Sequence, residues 1–344
     1  MQTLEDILTA DLRDSYGLNC GRLEPVAGGW LNKKWQTIAG GERLLIKQFS
    51  RERFQPFQLD QIGAALQRQM ILAEKGIPCP HILPYRQRPL RILEDGTVYM
   101  VMRFCPGRME NRDTITAEQL RSLGSVCGRM HREFATLPEQ GVKGFPIDGH
   151  RVLSSLWDHF HTRMDSIPED APPAYREALL AQEPILRTLT PDFFRRLPKG
   201  IAHEDLSPDN LLFHPDKVSA VLDFDRNQYS FLWHDIGRCL LSFALREGRL
   251  DISRIRSFLE GYADHLPLTL GDAADALRIT WCIEIPWWIQ PAIFTGGTEK
   301  IRRFQEEMLW LTAHWPELEA LLQSTRKEGT PGKIRRPARC TMWL

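Results

Sequence analysis

The stretch from Ile201 to Phe224 constrains the fold of this chain more than any other, because it holds the sole clear β signal after residue 106. Two apolar runs, Leu211-Leu212-Phe213 and Val218-Ser219-Ala220-Val221, flank His214-Pro215-Asp216, and short runs about such a turn read as a β-hairpin. The residues around it are spaced as helices, from about Thr116 to Leu137, Arg151 to Leu197 and Trp233 to Leu322. The hairpin therefore sits in a helical setting, and its ends carry the polar residues His203, Glu204, Asp205, Asn210, Asp223 and Asp225.

The first hundred residues have another character. An acidic, amphipathic helix opens the chain, and strand signals follow at Leu23-Glu24-Pro25-Val26 and at Trp35-Gln36-Thr37-Ile38. A Gly40-Gly41 turn leads into the apolar run Leu44–Phe49, a hairpin signature. Leu59, Ile62, Leu66 and Met70 recur at helical spacing from about Phe57 to Lys75, where Gly76 and Pro78 stop the helix. Two more strand-like runs surround Asp95-Gly96 before Pro106-Gly107 punctuates the chain. The expected fold is α+β and bilobal. A small sheet-rich N-lobe covers residues 1–105, a larger, mainly helical C-lobe residues 106–324, and a basic mobile tail residues 325–344.

Composition removes several classes of function. Lys+Arg and Asp+Glu each number 44, so no net field draws the molecule to nucleic acid or to an anionic membrane. No window approaches the ~20 apolar residues of a membrane span, and the N-terminus lacks the basic start and apolar run of a signal peptide. The 7 cysteines are scattered and form no C-x-x-C pair, which argues against a disulfide framework or a zinc site. Reduced thiols in a cytoplasmic protein are expected.

The polar residues suit phosphoryl transfer, in which a protein must position an acceptor hydroxyl and neutralise phosphate charge, largely through Mg2+. Mg2+ prefers oxygen ligands, and Asn210 and Asp223 offer them from the two arms of the hairpin. Asp205, on the loop entering it, can accept or orient the proton of an attacking hydroxyl.

His203-x-Asp205-x-x-x-x-Asn210 followed by Asp223-Phe224-Asp225 resembles the catalytic and metal loops of protein-kinase-like phosphotransferases. Within these it is most similar to the aminoglycoside phosphotransferase/choline kinase superfamily, nearest to its homoserine-kinase-like and CotS-like bacterial branch. Between the His and the Asp, protein kinases favour Arg and many small-molecule kinases Gly, whereas this chain has Glu204. The resemblance implies that Asp205 is the catalytic base, that Asn210 and Asp223 are metal ligands, and that His203 braces the loop.

Other matches extend it. Gly28-Gly29-Trp30-Leu31-Asn32 resembles the loop that covers the nucleotide, with Gly28, Gly29 and Asn32 against the phosphates, and Lys47 matches the lysine that reaches them. Gly76-Ile77-Pro78-Cys79-Pro80 resembles the turn after the small lobe's helix. Trp233-His234-Asp235-Ile236-Gly237 resembles the segment whose Asp supports the catalytic loop's backbone, though Asp235 can also be read as a helix N-cap. His131 is read as a structural histidine. Asp225 is either a second metal contact or a solvated residue, and Trp281, Glu284, Trp287 and Trp288 are either core or an acceptor pocket. One feature departs from the kinase pattern. The helix after Lys47 carries no glutamate where one would pair with the lysine, and only Asp60, Glu74 or the neutral Gln61 and Gln69 lie near.

The function implied is transfer of the γ-phosphate of ATP, with GTP left open, to a hydroxyl of an amino alcohol, sugar or aminoglycoside. Mg2+ is the expected cofactor and a small-molecule hydroxyl the expected acceptor, without nucleic-acid or membrane partners. The alternatives are a silent kinase-like assembly protein of spore-coat type, suggested by the missing glutamate, and a protein kinase. The second is disfavoured because no Ala-Pro-Glu segment follows and Asp225 lies too close to Asp235 for a peptide-docking loop.

Overall fold

The computed structural model describes residues 3–26, 32–50, 56–138 and 144–323. The opening helix, α1 (Leu4–Tyr16), starts in a capping box: the Thr3 hydroxyl accepts from the Asp6 N–H and the Asp6 carboxylate from the Thr3 N–H. Its apolar stripe buries Leu8 and Leu12 completely, a burial that contributes about 1.5–3 kcal/mol per leucine.

These leucines cover one face of a six-stranded antiparallel sheet. Its strands are β1 (Glu24–Pro25), β2 (Lys33–Ala39), β3 (Glu42–Phe49), β4 (Ile82–Leu83), β5 (Arg91–Ile92) and β6 (Val98–Arg103). The order is β1-β2-β3-β6-β4, with β5 also paired to β6. The second face is covered by α2 (Pro56–Glu74). Side chains of a strand point alternately to its two faces, and β6 is apolar at every inward position on both. Tyr99 and Val101 join Leu8, Leu12, Trp35, Leu44 and Ile46, while Val98, Met100 and Met102 join Phe49, Ile62 and Leu66. The same alternation puts Lys47, two residues from Leu45 and Phe49, on the α2 face.

The rest of the chain is mainly helical. It runs through α3 (Ala117–Phe134), α4 (Gly149–Asp165), α5 (Pro173–Leu180), α6 (Gln182–Thr188) and α7 (Pro191–Arg196) to β7 (Lys199–Ala202), β8 (Leu211–Phe213), β9 (Val218–Val221) and β10 (Gln228–Phe231). It then continues through α8 (Leu232–Ala244), β11 (Leu245–Arg246), β12 (Arg249–Leu250), α9 (Ile252–Ala263), α10 (Leu270–Trp288), α11 (Pro291–Thr295), α12 (Glu299–His314) and α13 (Leu318–Gln323). β8 and β9 form the hairpin expected from the sequence. That hairpin is not the only β structure here, however. β7 pairs antiparallel with β10, Ile201 opposite Tyr229, and β11 pairs with β12. β10, Gln228-Tyr229-Ser230-Phe231, lacks a strong apolar signal and owes its strand to a partner far back in the chain.

α3 and α9 pack backbone against backbone, with Gly124 facing Phe258 and Gly261 facing Arg121. Between the two halves Gly107 sits at φ +133°, where a side chain would meet the Ser219 hydroxyl. That hydroxyl donates to the Pro106 carbonyl at 2.6 Å, and Arg108 and Phe213 exchange backbone hydrogen bonds of 3.1 and 2.8 Å. The Val221 N–H donates to the Pro78 carbonyl at 2.8 Å, so the turn after α2 is also tied to the hairpin. No helix among the described residues is long and apolar enough to cross a membrane.

Candidate active site

β7 delivers His203, Glu204 and Asp205 to the edge of the hairpin. Glu204 has φ +68° and Asp223, at the far end, φ +64°, left-handed conformations that a non-glycine residue adopts only when its surroundings hold it there. Asp235 does much of the holding. It lies within the first turn of α8, not at its cap, and is fully buried. Its carboxylate accepts from the backbone N–H groups of His203 (2.7 Å) and Glu204 (2.9 Å) and faces His131 Nε2 of α3 at 2.9 Å. His131 Nδ1 in turn meets the Tyr262 hydroxyl of α9 at 3.0 Å. Burial opposes ionisation of Asp235, but these donors keep its pKa below the ordinary carboxylate range.

His203 spans the two loops. Its Nδ1 accepts from the Asp205 N–H at 3.3 Å, so the proton sits on Nε2, which donates to the Leu222 carbonyl at 3.0 Å. The ring also packs edge-on against Phe224. Asn210 donates through Nδ2 to the Asp205 carbonyl at 2.9 Å, while its own carbonyl accepts from the Leu222 N–H at 2.8 Å.

Lys47 is 2% exposed and reaches from the sheet to both carboxylates of the Asp223-Phe224-Asp225 turn, contacting Asp223 and lying 3.0 Å from Asp225. Burial pushes the Asp223 carboxyl up, but the Lys47 ammonium outweighs it and holds the pKa at about 2. Asp225 goes the other way, raised by burial and by the neighbouring Asp223 charge. Its solvated reading is corrected: the side chain is 13% exposed and ion-paired.

The partners of Lys47 are thus these two aspartates and not a residue of α2. Gln69 is not a neutral substitute, since its amide donates to the Pro80 carbonyl at 2.7 Å. α2 is instead tied to the same turn through Arg68, whose Nε donates to Asn227 Oδ1 (2.6 Å) and Nη2 to the Asn227 carbonyl (2.9 Å). The Asn227 amide returns a bond to the Ala65 carbonyl at 2.9 Å. Burial brings the Arg68 pKa down to about 10.

Two features escaped the sequence reading. Lys34, half-buried on β2, is the direct cross-strand partner of Lys47 and so shares its face. Glu204 contacts Gln228 (3.2 Å) and His234 (3.3 Å), and His234 contacts Glu284 of α10 at 3.1 Å. Burial disfavours the His234 cation, yet the two carboxylates raise its pKa to about 10. The tryptophan cluster also divides. Trp281 is fully buried beside Trp315 and belongs to the core, Trp288 stacks on Phe304, and Trp287 is 66% exposed.

Gly28 and Gly29 lie outside the described residues. The Asn32 side-chain oxygen accepts from the Ser50 N–H at 3.3 Å, closing the base of the β2–β3 hairpin. Among the described residues no three His, Cys, Asp or Glu side chains are grouped to hold a metal by themselves. Mg2+ typically takes one or two protein oxygens and completes its shell with phosphate and water, and the Asn210 and Asp223 oxygens fit that need.

A buried lysine from a sheet, two carboxylates on a strained turn and an aspartate on a braced loop define a protein-kinase-like phosphotransferase. The chain belongs to the phosphotransferase enzyme family, whose family model matches residues 22–270. A homoserine kinase of Xanthobacter autotrophicus is 28% identical over 211 residues, 60% of this chain and 61% of that enzyme, so the match spans less than two thirds of the relative. One from Methylobacillus flagellatus is 27% identical over 255 residues, 72% of each chain. Among solved structures, an amicoumacin kinase in complex with AMP-PNP and Ca2+ superposes with a TM-score of 0.61 at 15% identity, covering 93% of this chain and 94% of the other. A microcompartment-associated aminopropanol kinase gives 0.57 at 14% identity, covering 92% and 98%. At these identities the structural matches establish the fold.

Proposed function

We propose that this chain transfers the γ-phosphoryl group of ATP to a hydroxyl group of a small molecule. The observation that carries it is the convergence of Lys47, Asp205, Asn210 and Asp223 on one braced hairpin in a chain of the phosphotransferase family. Asp205 orients the acceptor hydroxyl and takes its proton as the oxygen attacks phosphorus in line. Lys47 shifts from Asp223 and Asp225 onto phosphate oxygens, and Lys34 on the same face adds positive charge beside it. Gly28, Gly29 and Asn32 belong to the loop that covers the nucleotide. Asn210 and Asp223 would hold Mg2+, which when bound neutralises charge on the phosphates. The Asp235, His131 and His203 contacts keep Asp205 in place.

The acceptor class is a small alcohol. The homoserine kinases among the relatives in sequence support amino alcohols ahead of sugars and aminoglycosides. The retention of Asp205, Asn210 and Asp223 argues against a silent, assembly-type protein.

The test is a thermal-shift titration with ATP and with GTP, each with and without Mg2+. A ligand present at a hundred times its Kd stabilises the folded form by about 2.7 kcal/mol. A Mg2+-dependent rise with either nucleotide is expected, followed by phosphate acceptance in a panel of small alcohols. No rise at millimolar nucleotide would overturn the proposal.

A further inference from the structure

Behind the catalytic loop lies a buried chain of charges that its bracing does not use up. It begins at Glu204 and passes through His234 and Glu284 to Arg238, which contacts both Glu284 and Glu307. Glu307, wholly buried on α12, also takes Arg112 at 3.1 Å and has Arg303 one turn away at 3.9 Å. Both ring nitrogens of His234 face carboxylates, so both carry protons and the ring is a cation. The carboxylates of Glu204, Glu284 and Glu307 thus face the cations His234, Arg238, Arg112 and Arg303, and one positive charge is left over.

The surplus can be located. Arg303 Nε and Nη2 are both buried and have no hydrogen-bond partner among the described residues. A guanidinium with two buried, unpartnered N–H groups is costly, since such groups nearly always find an acceptor. The nearest carboxylate, Glu307, is shared with Arg112 and Arg238 and stands 3.9 Å from Arg303 Nε, an ion pair beyond hydrogen-bond reach. On the same face of α12, one turn earlier, Lys300 contacts Asp209 of the catalytic loop. The unsatisfied guanidinium therefore lies one helical turn from a residue that touches the loop carrying Asp205 and Asn210.

We propose that Arg303, flanked by Lys300 and Arg112, is an anion subsite that receives a carboxylate or phosphate-like group of the acceptor. The paired N–H groups of an arginine match the two oxygens of such a group, and the bound anion cancels the surplus charge. This deepens the proposed kinase activity by assigning the acceptor a negative group on the side away from the hydroxyl that is phosphorylated.

The experiment is calorimetric titration of inorganic sulfate into the protein saturated with AMP-PNP and Mg2+, so that phosphate-binding groups near Lys47 are already occupied. Saturable binding is expected for the wild type. Loss of a charge-assisted bond is worth about 1.5–3 kcal/mol, so Arg303→Gln should weaken sulfate about tenfold or more. Arg302→Gln, on the exposed face of the same helix, should change it less than about twofold. Arg303→Lys, which keeps the charge without the paired N–H groups, should fall between and serves if the Gln variant does not fold. No saturable sulfate binding, or equal binding to all variants, overturns the subsite. With any alcohol the enzyme phosphorylates, sulfate should raise KM and leave kcat unchanged. A fall in kcat at saturating alcohol would instead mark a site for free anions and overturn the assignment to the acceptor. Absence of turnover counts against the kinase proposal alone, and the sulfate titration still decides the subsite.

Discussion

Lys47 and Asp223, 176 residues apart in the chain, meet as a buried ion pair that joins the sheet to the catalytic hairpin. Asp225 shares the ammonium at 3.0 Å. The pair fixes what should happen when the lysine is removed.

Lys47→Met should leave two mostly buried carboxylates facing each other with only Lys34 of β2 nearby. Breaking a buried pair from one side costs about 3–5 kcal/mol, and the partial exposure of Asp223 puts the expected loss at about 3 kcal/mol or less. Urea unfolding measures it. Asp225→Asn added to Lys47→Met should recover part of the loss; an additive further loss would show that the carboxylates do not repel.

Asp205→Asn tests the base. General acid–base groups contribute about 10²- to 10⁴-fold, so kcat should fall by that order while the Kd for nucleotide stays within about twofold. Single-turnover phosphoryl transfer and nucleotide calorimetry separate the two. Wild-type turnover in this variant would remove Asp205 from its role.

His234 makes stability depend on pH with a defined sign. Its folded pKa of about 10 lies above the ordinary 6.5, so its stabilisation is fully present below about 6.5 and is lost as pH rises through about 10. The difference in unfolding free energy between wild type and His234→Gln should shrink steadily across that window. A constant difference would mean that the ring is neutral in the folded protein.

The contact between α3 and α9 allows no side chain at Gly261, where a Cβ would lie 1.8 Å from the Arg121 carbonyl oxygen. Gly261→Ala should cost about 1–3 kcal/mol or more, seen as a lower urea midpoint at unchanged slope. Gly271→Ala, with its nearest neighbour at 3.6 Å, should be close to neutral.

The residues placed from sequence were those whose chemistry depends on local spacing. Asp205, Asn210 and Asp223 stand at fixed offsets along one hairpin, and a hairpin between helices is visible in a single pass along the chain. What was missed depends on contacts between distant segments. Nothing near Lys47 in sequence names Asp225 as its partner, and nothing near Arg68 points to Asn227. β10 was invisible because a strand of Gln, Tyr, Ser and Phe is made by its partner, not by its own pattern. Trp281 was ambiguous because an aromatic at helical spacing looks the same whether it lines a pocket or fills a core; its full burial beside Trp315 decides for the core.

The Arg68–Asn227–Ala65 linkage also bears on how α2 moves. α2 shares three hydrogen bonds with Asn227, just after the Asp223–Asp225 turn, so the helix cannot swing outward without carrying that segment along or breaking those bonds. Helix and turn therefore move as one body.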